Sequence, residues 1–330
     1  MEISKMKIGI DISQLAYPGT GIATYTKNLI ANLKAVDQRN EYIFFGSSLR
    51  RPQPGFWRFP PTLLDILWNQ LHIMPVEKLI GKVDVFHSSD WIQPPTTAKK
   101  VTTIHDLVVY LYPESSHPRI IATQKRRLEW VKKECDLVIA VSQSTKKDIV
   151  EILKIPEEKI RVIYEATNPM FKPVRKKVKP YVLGMGELNS RKNIERLKAA
   201  FKSLRLKDVE LKIVGSAELG YVSLENLVEL YSNALCFVYP SLYEGFGLPV
   251  LEAFACGCPV ITSNVSSLPE VGGNAAIYVN PLNVDDIAEK IKHVLSLNRE
   301  RLAKEGFAQV AKFSWQKTAQ ETVKVYEELA

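Results

Sequence analysis

Short apolar runs alternate with amphipathic helical patterns along the first half of the chain. The run KIGIDI predicts a buried strand, and the following segment ATYTKNLIANLKAV places apolar residues at helical spacing. Strands interleaved with helices of this length indicate a parallel sheet that is covered on both faces. Further strands are predicted at residues 42–46, 83–89, 100–106, 136–142 and 159–165.

The pattern breaks at residues 168–180. The segment NPMFKPVRKKVKP holds three prolines and five basic residues without apolar periodicity, which is typical of a linker. Beyond it, strands and helices alternate again up to a final helical pattern in WQKTAQETVKVYEEL. The sequence therefore predicts an α/β fold with two doubly wound, Rossmann-like domains, whose ligands bind at the carboxyl ends of the strands.

Length and composition allow two globular domains. A chain of 330 residues exceeds what one core usually fills, and it is 46% hydrophobic and 24% charged. The net charge of +8 suits nucleotide phosphates, an anionic membrane or nucleic acid, or it serves solubility alone. Because we find no secretory leader and no apolar run of about 18 residues, we expect a cytoplasmic protein.

The four cysteines form no CxxC pair, and Cys256-Gly-Cys258 has no partner ligands at zinc spacing. We therefore expect small buried thiols and no metal site.

The segment YEGFGLPVLEAFACGCPVITS places two carboxylates, Glu244 and Glu252, on either side of a glycine-rich turn. Gly245 and Gly247 would let backbone amides approach a ligand, and a helix beginning near Leu248 would favour phosphate or sugar oxygens. We expect Glu252 in the first turn of that helix, where it either holds the vicinal hydroxyls of a ribose or is an ordinary helix-start carboxylate.

This segment resembles the donor site of glycosyltransferase family 4, a group with the two-domain GT-B fold. ISQLAYPGTGIATYTKNLIANL is similar to the family's N-terminal glycine loop, GELNSRKNIERLKAAF to its phosphate-binding segment, and FSWQKTAQETVKVYEE to its closing helix. The resemblance implies Rossmann-like domains at residues 1–172 and 173–312 that face each other across a cleft. Residues 313–330 would form a helix that crosses back to the first domain.

The resemblance also implies roles for individual residues. Arg191 and Lys192 would neutralise the diphosphate of a nucleotide-sugar, which suits the chemistry of fixed cations at a departing phosphate. Glu244 would contact hydroxyls of the donor sugar, and Glu252 those of the ribose. Further donor contacts would come from Gly19, Gly21, Gly245, Phe246, Gly247 and Leu248.

The acceptor side carries less specific signals. His105 and Asp106 follow a predicted strand, and the family has a histidine near the transferred sugar at the position of His105. That histidine would orient a hydroxyl or assist the acceptor, although a lone histidine is more often structural. His87 and Asp106 are further candidates for the acceptor side.

By resemblance, the reaction moves a hexose from a GDP- or UDP-linked sugar to a hydroxyl of a glycan or lipid-linked acceptor. Family members retain anomeric configuration and need neither a metal nor a cofactor, because the nucleotide-sugar is a substrate. The form of the GELNSRKN motif favours mannose, and the setting would be synthesis of a cell-surface polysaccharide.

The basic segment HPRIIATQKRRLEWVKKE, residues 117–134, has two interpretations. Its interspersed apolar residues would let it dock on an anionic membrane at the inner face of the plasma membrane, or it is a solvated helix with one face on the first domain. We do not expect nucleic-acid binding, because no recognisable module accompanies the charge.

Two alternatives to an active glycosyltransferase remain at this stage. The chain is shorter than the family pattern near Ser216, where the nucleotide base would bind, so a donor-impaired partner subunit is one alternative. The other is a dinucleotide-dependent oxidoreductase, which Gly184-Met185-Gly186 resembles superficially. In that fingerprint, however, Asn189 replaces the third glycine.

Overall fold

The chain forms two compact units in the computed structural model, which describes residues 5–51, 55–187, 191–215 and 219–330. The first unit comprises Met1–Glu165 with Trp315–Ala330, and the second comprises Ala166–Ser314. The sequence-based division after residue 172 therefore falls inside the second unit. There, Val174 N–H donates to Ser232 Oγ (3.0 Å), and the Phe171 ring packs on the Tyr231 ring.

The first unit contains a parallel sheet of six strands in the order β2-β1-β3-β4-β5-β6. Its strands are β1 Lys7–Asp11, β2 Glu41–Phe45, β3 Val85–Ser88, β4 Lys99–Ile104, β5 Leu137–Ala140 and β6 Ile160–Val162. Its helices are α1 Gly21–Val36, α2 Pro61–Leu64, α3 Glu77–Ile80, α4 Val108–Leu111, α5 Pro118–Glu134, α6 Gln143–Asp148 and, at the C-terminus, α13 Trp315–Glu327.

The second unit contains a parallel sheet of five strands in the order β11-β10-β9-β7-β8. Its strands are β7 Tyr181–Met185, β8 Glu210–Val214, β9 Cys236–Tyr239, β10 Val260–Ser263 and β11 Ile277–Val279. Its helices are α7 Ile194–Ser203, α8 Leu224–Asn233, α9 Leu248–Ala255, α10 Leu268–Gly272, α11 Val284–Ser296 and α12 Arg299–Val310.

Both sheets reverse their strand order at one place, between β1 and β3 in the first unit and between β7 and β9 in the second. At such a switch point the loops leave the carboxyl ends of neighbouring strands in opposite directions and open a crevice. The α/β fold with two Rossmann-like units is therefore confirmed, and the topology places one crevice in each unit.

The C-terminal helix α13 packs on the first unit, as its amphipathic pattern allows. Thr318 Oγ1 donates to the carbonyl of Tyr164 (2.7 Å), and the Trp315 ring meets the edge of Tyr25. Ala319 and Tyr326 are fully buried there. The helix therefore completes the core of a unit whose other residues lie far away in sequence.

Candidate functional site

The switch point of the second sheet collects the residues predicted to hold the donor. The loop after β7 carries Arg191 and Lys192, and the loop after β9 carries Glu244. Gly186, directly after β7, has φ +149, and a Cβ there would lie 2.4 Å from the Cβ of Lys192. A glycine at this place therefore lets the chain bearing Lys192 approach the end of the strand.

Lys192 and Glu244 form an ion pair in this crevice. Lys192 Nζ donates to Glu244 Oε1 over 2.7 Å and also to the hydroxyl of Tyr239. The same carboxylate oxygen accepts from the Tyr239 hydroxyl (2.8 Å) and from Ser241 Oγ (2.6 Å). Arg191 Nη2 lies 3.9 Å from Glu244 Oε2. Two cations and two hydroxyls thus surround one carboxylate.

The environment of Glu244 keeps it ionised. Only 6% of the residue is exposed, and burial alone would raise the pKa of its carboxyl. The charges of Lys192 and Arg191 and the hydrogen bonds from Lys192 and Ser241 outweigh burial, so the pKa lies below its usual value. Lys192 is therefore not the solvated lysine of an ordinary helix start.

Hydroxyls of the turn before α10 fix the loop that carries Glu244. Ser267 Oγ donates to the carbonyls of Glu244 (2.9 Å) and Phe246 (2.6 Å), and Glu244 N–H donates to Ser266 Oγ (3.0 Å). Gly247 is the N-cap of α9 with φ +108, a conformation that favours glycine. The predicted glycine turn and the helix beginning at Leu248 are thus present, with Gly245 and Phe246 buried in the turn.

The predicted position of Glu252 in the first turn of this helix is wrong. Because α9 begins at Leu248, Glu252 is its fifth residue, and no acidic residue lies in the first turn. Glu252 is partly exposed, and burial of its carboxyl raises the pKa from the ordinary 4.5 to about 7, against a hydrogen bond from Tyr231 (3.2 Å). The helix dipole therefore does not set its charge.

Sequence reasoning missed two members of this site, Tyr239 and Ser241. They flank Pro240 at the carboxyl end of a predicted strand, which is where ligands of doubly wound sheets bind. Their position at the end of this strand could have identified them as candidate site residues.

In the first unit, His105 follows β4 and pairs with Glu165. His105 Nδ1–H donates to Glu165 Oε1 over 2.8 Å, and the ring meets Tyr25 edge-on at 4.7 Å between centroids. Burial alone would lower the pKa of the imidazole. The hydrogen bond and charge of Glu165, together with the charge of Asp90, instead raise this pKa above its usual value. Glu165 was not predicted, although it ends a predicted strand.

His87 does not offer a ring nitrogen to a ligand. Its Nδ1 pairs with the hydroxyl of Tyr326 (2.7 Å) and its Nε2 with Thr103 Oγ1 (2.9 Å). The residue is 3% exposed, and burial, with the charges of His105 and Arg127, lowers its pKa to about 3. Both ring nitrogens of His87 are thus engaged within the first unit, so we expect a structural role for it.

The other residues predicted in the first unit lie near loops. Asp106 Oδ1 accepts from Val108 N–H at the start of α4 (2.9 Å). Gly19 has φ +89 in the loop before α1, and Gly21 is the first residue of that helix, which Thr20 caps. No described neighbour lies within 4 Å of a Cβ built on either glycine.

The basic segment 117–134 is helix α5, and its apolar side faces the protein. Leu128 and Val131 are buried in the core, and Trp130 stacks on His72. Arg127 is fully buried as well: its guanidinium donates to the carbonyl of Ser89 (2.9 Å) and to Thr102 Oγ1 (2.6 Å). Arg127 therefore belongs to the interior of the first unit and adds nothing to a basic surface on this helix.

All four cysteines are free and buried, as expected, and within the described ranges no group of three or more His, Cys, Asp or Glu side chains could hold a metal. A search of the same residues finds no helix that is long and apolar enough to cross a membrane. Leu188–Ser190 of the phosphate segment and the shortened region at Ser216 lie outside the described residues, so both predictions stand as made.

Comparison with known proteins identifies the family. A model described as Glycosyltransferase Family 4 matches residues 19–170, and one described as Glycosyl transferases group 1 matches residues 166–309. An uncharacterized glycosyltransferase of Methanocaldococcus jannaschii is 30% identical over 79% of this chain and 80% of its own length. The O-antigen chain mannosyltransferase B of Escherichia coli is 29% identical over 97% of this chain and 99% of its own length.

The E. coli alignment spans 381 positions, more than the 330 residues of this chain, so that relative carries residues that this chain lacks. Among solved structures, sucrose-phosphate synthase of Thermosynechococcus elongatus superposes with a TM-score of 0.77 at 22% identity, covering 98% of this chain and 99% of its own. The chain therefore belongs to family 4 (group 1) of the glycosyltransferases, which are enzymes with the GT-B fold.

Proposed function

We propose that this glycosyltransferase moves a hexose, with mannose favoured, from a GDP- or UDP-linked donor to a hydroxyl of a glycan or lipid-linked acceptor. The reaction would retain anomeric configuration, need no active-site metal and serve the synthesis of a cell-surface polysaccharide. The observation that carries the proposal is the Lys192–Glu244 ion pair, with Arg191 beside it, at the switch point of the second sheet.

Each member of this site has a role in the proposal. Lys192 and Arg191 stabilise the negative charge that develops on the diphosphate as it leaves the sugar carbon. Glu244, kept ionised by them, accepts hydrogen bonds from sugar hydroxyls, and Glu252 accepts them from the ribose. Because two fixed cations supply positive charge at the leaving group, a metal ion is not required for that purpose.

We expect the retaining reaction that is known in the family. The bond between the anomeric carbon and the phosphate oxygen breaks, and the acceptor oxygen bonds to the same face of that carbon. The acceptor proton passes to the departing phosphate oxygen. His105, held by Glu165, is proposed to orient the acceptor hydroxyl from the first unit.

Mannose is favoured because a relative that spans nearly the whole chain is named an O-antigen chain mannosyltransferase. The test is transfer from GDP-mannose, GDP-glucose, UDP-glucose and UDP-galactose in the presence of EDTA, with products identified by mass spectrometry and their anomeric configuration by NMR. We expect transfer from GDP-mannose, an unchanged rate with EDTA and an α-linked product. Preference for a UDP-sugar would overturn the sugar assignment, and an inverted product would overturn retention.

The donor-impaired partner subunit gives the opposite result in a titration. Calorimetry with GDP and UDP would then show no binding by the wild-type protein. We expect one nucleotide to bind, and Lys192→Met to weaken that binding.

We also propose that the cations of α5 attract anionic lipid at the inner face of the plasma membrane. The exposed ones are Arg119, Lys125, Lys132 and Lys133. Because the apolar residues Leu128 and Val131 of the helix are buried in the core, we expect the attraction to be mainly electrostatic and to weaken with salt.

Vesicles with and without anionic lipid test the membrane proposal by sedimentation. We expect binding to anionic vesicles only, reduced by Lys125→Glu with Lys132→Glu. The matched control is Lys292→Glu with Lys304→Glu, which makes the same charge change on exposed residues of the second unit. Equal losses in both double variants would assign the effect to net charge.

A further inference from the structure

The first unit contains two neighbouring cavities that differ in size and lining. The smaller one, about 30 Å³, has room for little more than one water molecule or one hydroxyl group. Polar side chains at the carboxyl ends of β1, β3 and β4, among them Asp11, Ser89, Asp90 and His105, share its lining with apolar ones. The larger one, about 390 Å³, is almost entirely apolar. Its apolar lining residues are Tyr17, Ile22, Leu64, Trp91, Ile92 and Ile120, together with Pro61.

The two cavities share part of their walls. Gln14, Ile22 and Asp90 line both, so the smaller cavity and the apolar cavity meet at these side chains. Among the described residues, no group hydrogen-bonds to the buried oxygen Gln14 Oε1. The boundary between the cavities therefore presents an acceptor oxygen that a ligand hydroxyl can satisfy.

A buried network fixes Asp90 at this boundary. Its carboxylate lies 3.5 Å from the guanidinium of Arg127, and its backbone carbonyl accepts from Gln124 Nε2 over 2.5 Å. Arg127 in turn holds the carbonyl of Ser89. The fully buried Arg127 thus holds the loop that carries Ser89 and Asp90.

We propose that the acceptor is an amphiphile, whose reacting hydroxyl meets the polar side chains at the smaller cavity and whose hydrocarbon chain occupies the apolar one. This inference rests on the proposed function and selects the lipid-linked class of acceptor. A free glycan would place hydroxyls against the apolar lining. Burying those hydroxyls with few hydrogen-bond partners is unfavourable. A hydrocarbon chain buries the same lining against apolar atoms.

The segment that lines the apolar cavity offers more apolar surface to a longer chain. Pro61 and Leu64 face the cavity, whereas Leu63 and Ile66 of the same segment are 38% and 43% exposed. A chain longer than the cavity can therefore continue over apolar side chains rather than over charged ones.

The test compares methyl, hexyl and decyl α-mannosides, each below its micelle concentration, in calorimetric binding without donor and in transfer. Each methylene that enters the cavity should tighten binding roughly two- to fourfold until the cavity is filled. Ile120→Asn, which places an amide on the cavity wall, should weaken decyl mannoside binding about tenfold and leave methyl mannoside unaffected.

Leu111→Asn is the matched control, because Leu111 and Ile120 are each 40% exposed and Leu111 does not line the cavity. The expected result is chain-length dependence that Ile120→Asn loses and Leu111→Asn keeps. Equal affinity for methyl and decyl mannosides would overturn the inference, as would chain-length dependence that Ile120→Asn leaves intact. Chain-length-dependent binding without transfer from any nucleotide-sugar would overturn the proposed function and keep the apolar ligand site.

Discussion

The two units share a sheet topology with one strand-order reversal, but they carry different side chains at that reversal. Each sheet reverses its strand order next to its first strand, and each places its polar residues at that reversal. In the second unit the crevice carries the permanent charges of Lys192, Arg191 and Glu244. In the first it carries the His105–Glu165 pair beside a small cavity lined by both polar and apolar side chains, next to a larger apolar cavity. The topology of the sheet forms the crevice, and the side chains at the strand ends set its charge.

The difference extends to how each crevice responds to pH. The pKa of Glu244 lies below its usual value because cations offset its burial, so the ion pair keeps its charges through neutral pH. The pair in the first unit depends on a protonated imidazole, whose pKa Glu165 raises above its ordinary value. Substitutions in the two units should therefore differ in size and in pH dependence.

The largest effect on activity is expected from Lys192→Met. Removing a fixed cation from a developing phosphate charge should lower kcat about 100- to 1,000-fold. Glu244 would lose its strongest counter-charge, so Lys192→Met with Glu244→Gln should regain stability without regaining activity. The measurements are kcat for transfer and the thermal midpoint of both variants.

Lys212→Met is the control for this prediction. Lys212 also lies over a tyrosine ring in the second unit, 4.3 Å from the centroid of Tyr181, whereas Lys192 lies 4.9 Å from that of Tyr239. Lys212 is on β8, away from the loops that carry the ion pair. If both variants lost activity equally, the charge at the switch point would not be the cause.

A smaller, pH-dependent effect is expected from Glu165→Gln. The wild-type pKa of His105 is raised above its ordinary 6.5, so the pair stabilises the fold fully below that value, and the stabilisation is lost as pH rises through the raised pKa. The variant should therefore lose most stability near pH 5.5 and least near pH 9, measured as thermal midpoints at about those pH values. Activity should fall roughly tenfold through misorientation of His105.

Glu158→Gln is the matched change at an exposed glutamate of the same unit. It should leave both the pH profile and the activity unchanged. A Glu165→Gln variant whose stability loss is the same at every pH would show that Glu165 does not act through His105.

Periodicity predicted much of this architecture, because strands and helices are set by local patterns. The strands of the first sheet lie within one or two residues of their predicted ends, apart from β6, which ends three residues before its predicted end. The three-residue strand β11 and the helix α12 were not predicted, because β11 is too short to show a period.

The sequence motifs predicted the charged residues of the candidate site but not the side chains that hydrogen-bond to them. Lys192, Arg191 and Glu244 come from contiguous motifs, and the structure brings them together. Tyr239, Ser241 and the pairing of Glu165 with His105 arise only when separate strands align, which no linear spacing encodes. The burial of Arg127 could not be predicted for a related reason: whether a basic residue of an amphipathic helix is buried depends on what packs against it.

A moderate effect that grows with pH is expected from Glu252→Gln in the second unit. The pKa of Glu252 is raised to about 7, so wild-type stability falls as pH rises from 4.5 to that value, and the variant should melt higher near pH 8. If the carboxylate holds ribose hydroxyls, nucleotide affinity should rise from about pH 6 to 8 in the wild type and stay flat in the variant. Near pH 8 the variant should bind about tenfold more weakly.

Calorimetric titration with GDP from about pH 6 to 8 measures this nucleotide affinity. The control is Glu289→Gln, at an exposed glutamate of α11. Unlike Glu244, whose charge is fixed, Glu252 would make donor binding sensitive to pH. Equal pH dependence in the wild type and in Glu252→Gln would remove Glu252 from the donor site.

No effect on catalysis is expected from Tyr326→Phe, although the fold should weaken. The variant removes the hydroxyl that pairs with His87 Nδ1 and leaves a buried nitrogen without its partner, at a cost of about 1–3 kcal/mol. Since we expect a structural role for His87, kcat and KM should match the wild type below the melting range. Tyr42→Phe removes a phenol hydrogen bond to Asp37 in the same unit. This variant should also lose stability and keep the kcat and KM of the wild type. A specific loss of activity in Tyr326→Phe would instead bring His87 into the acceptor site beside His105, and the two histidines of neighbouring strands would then share one function.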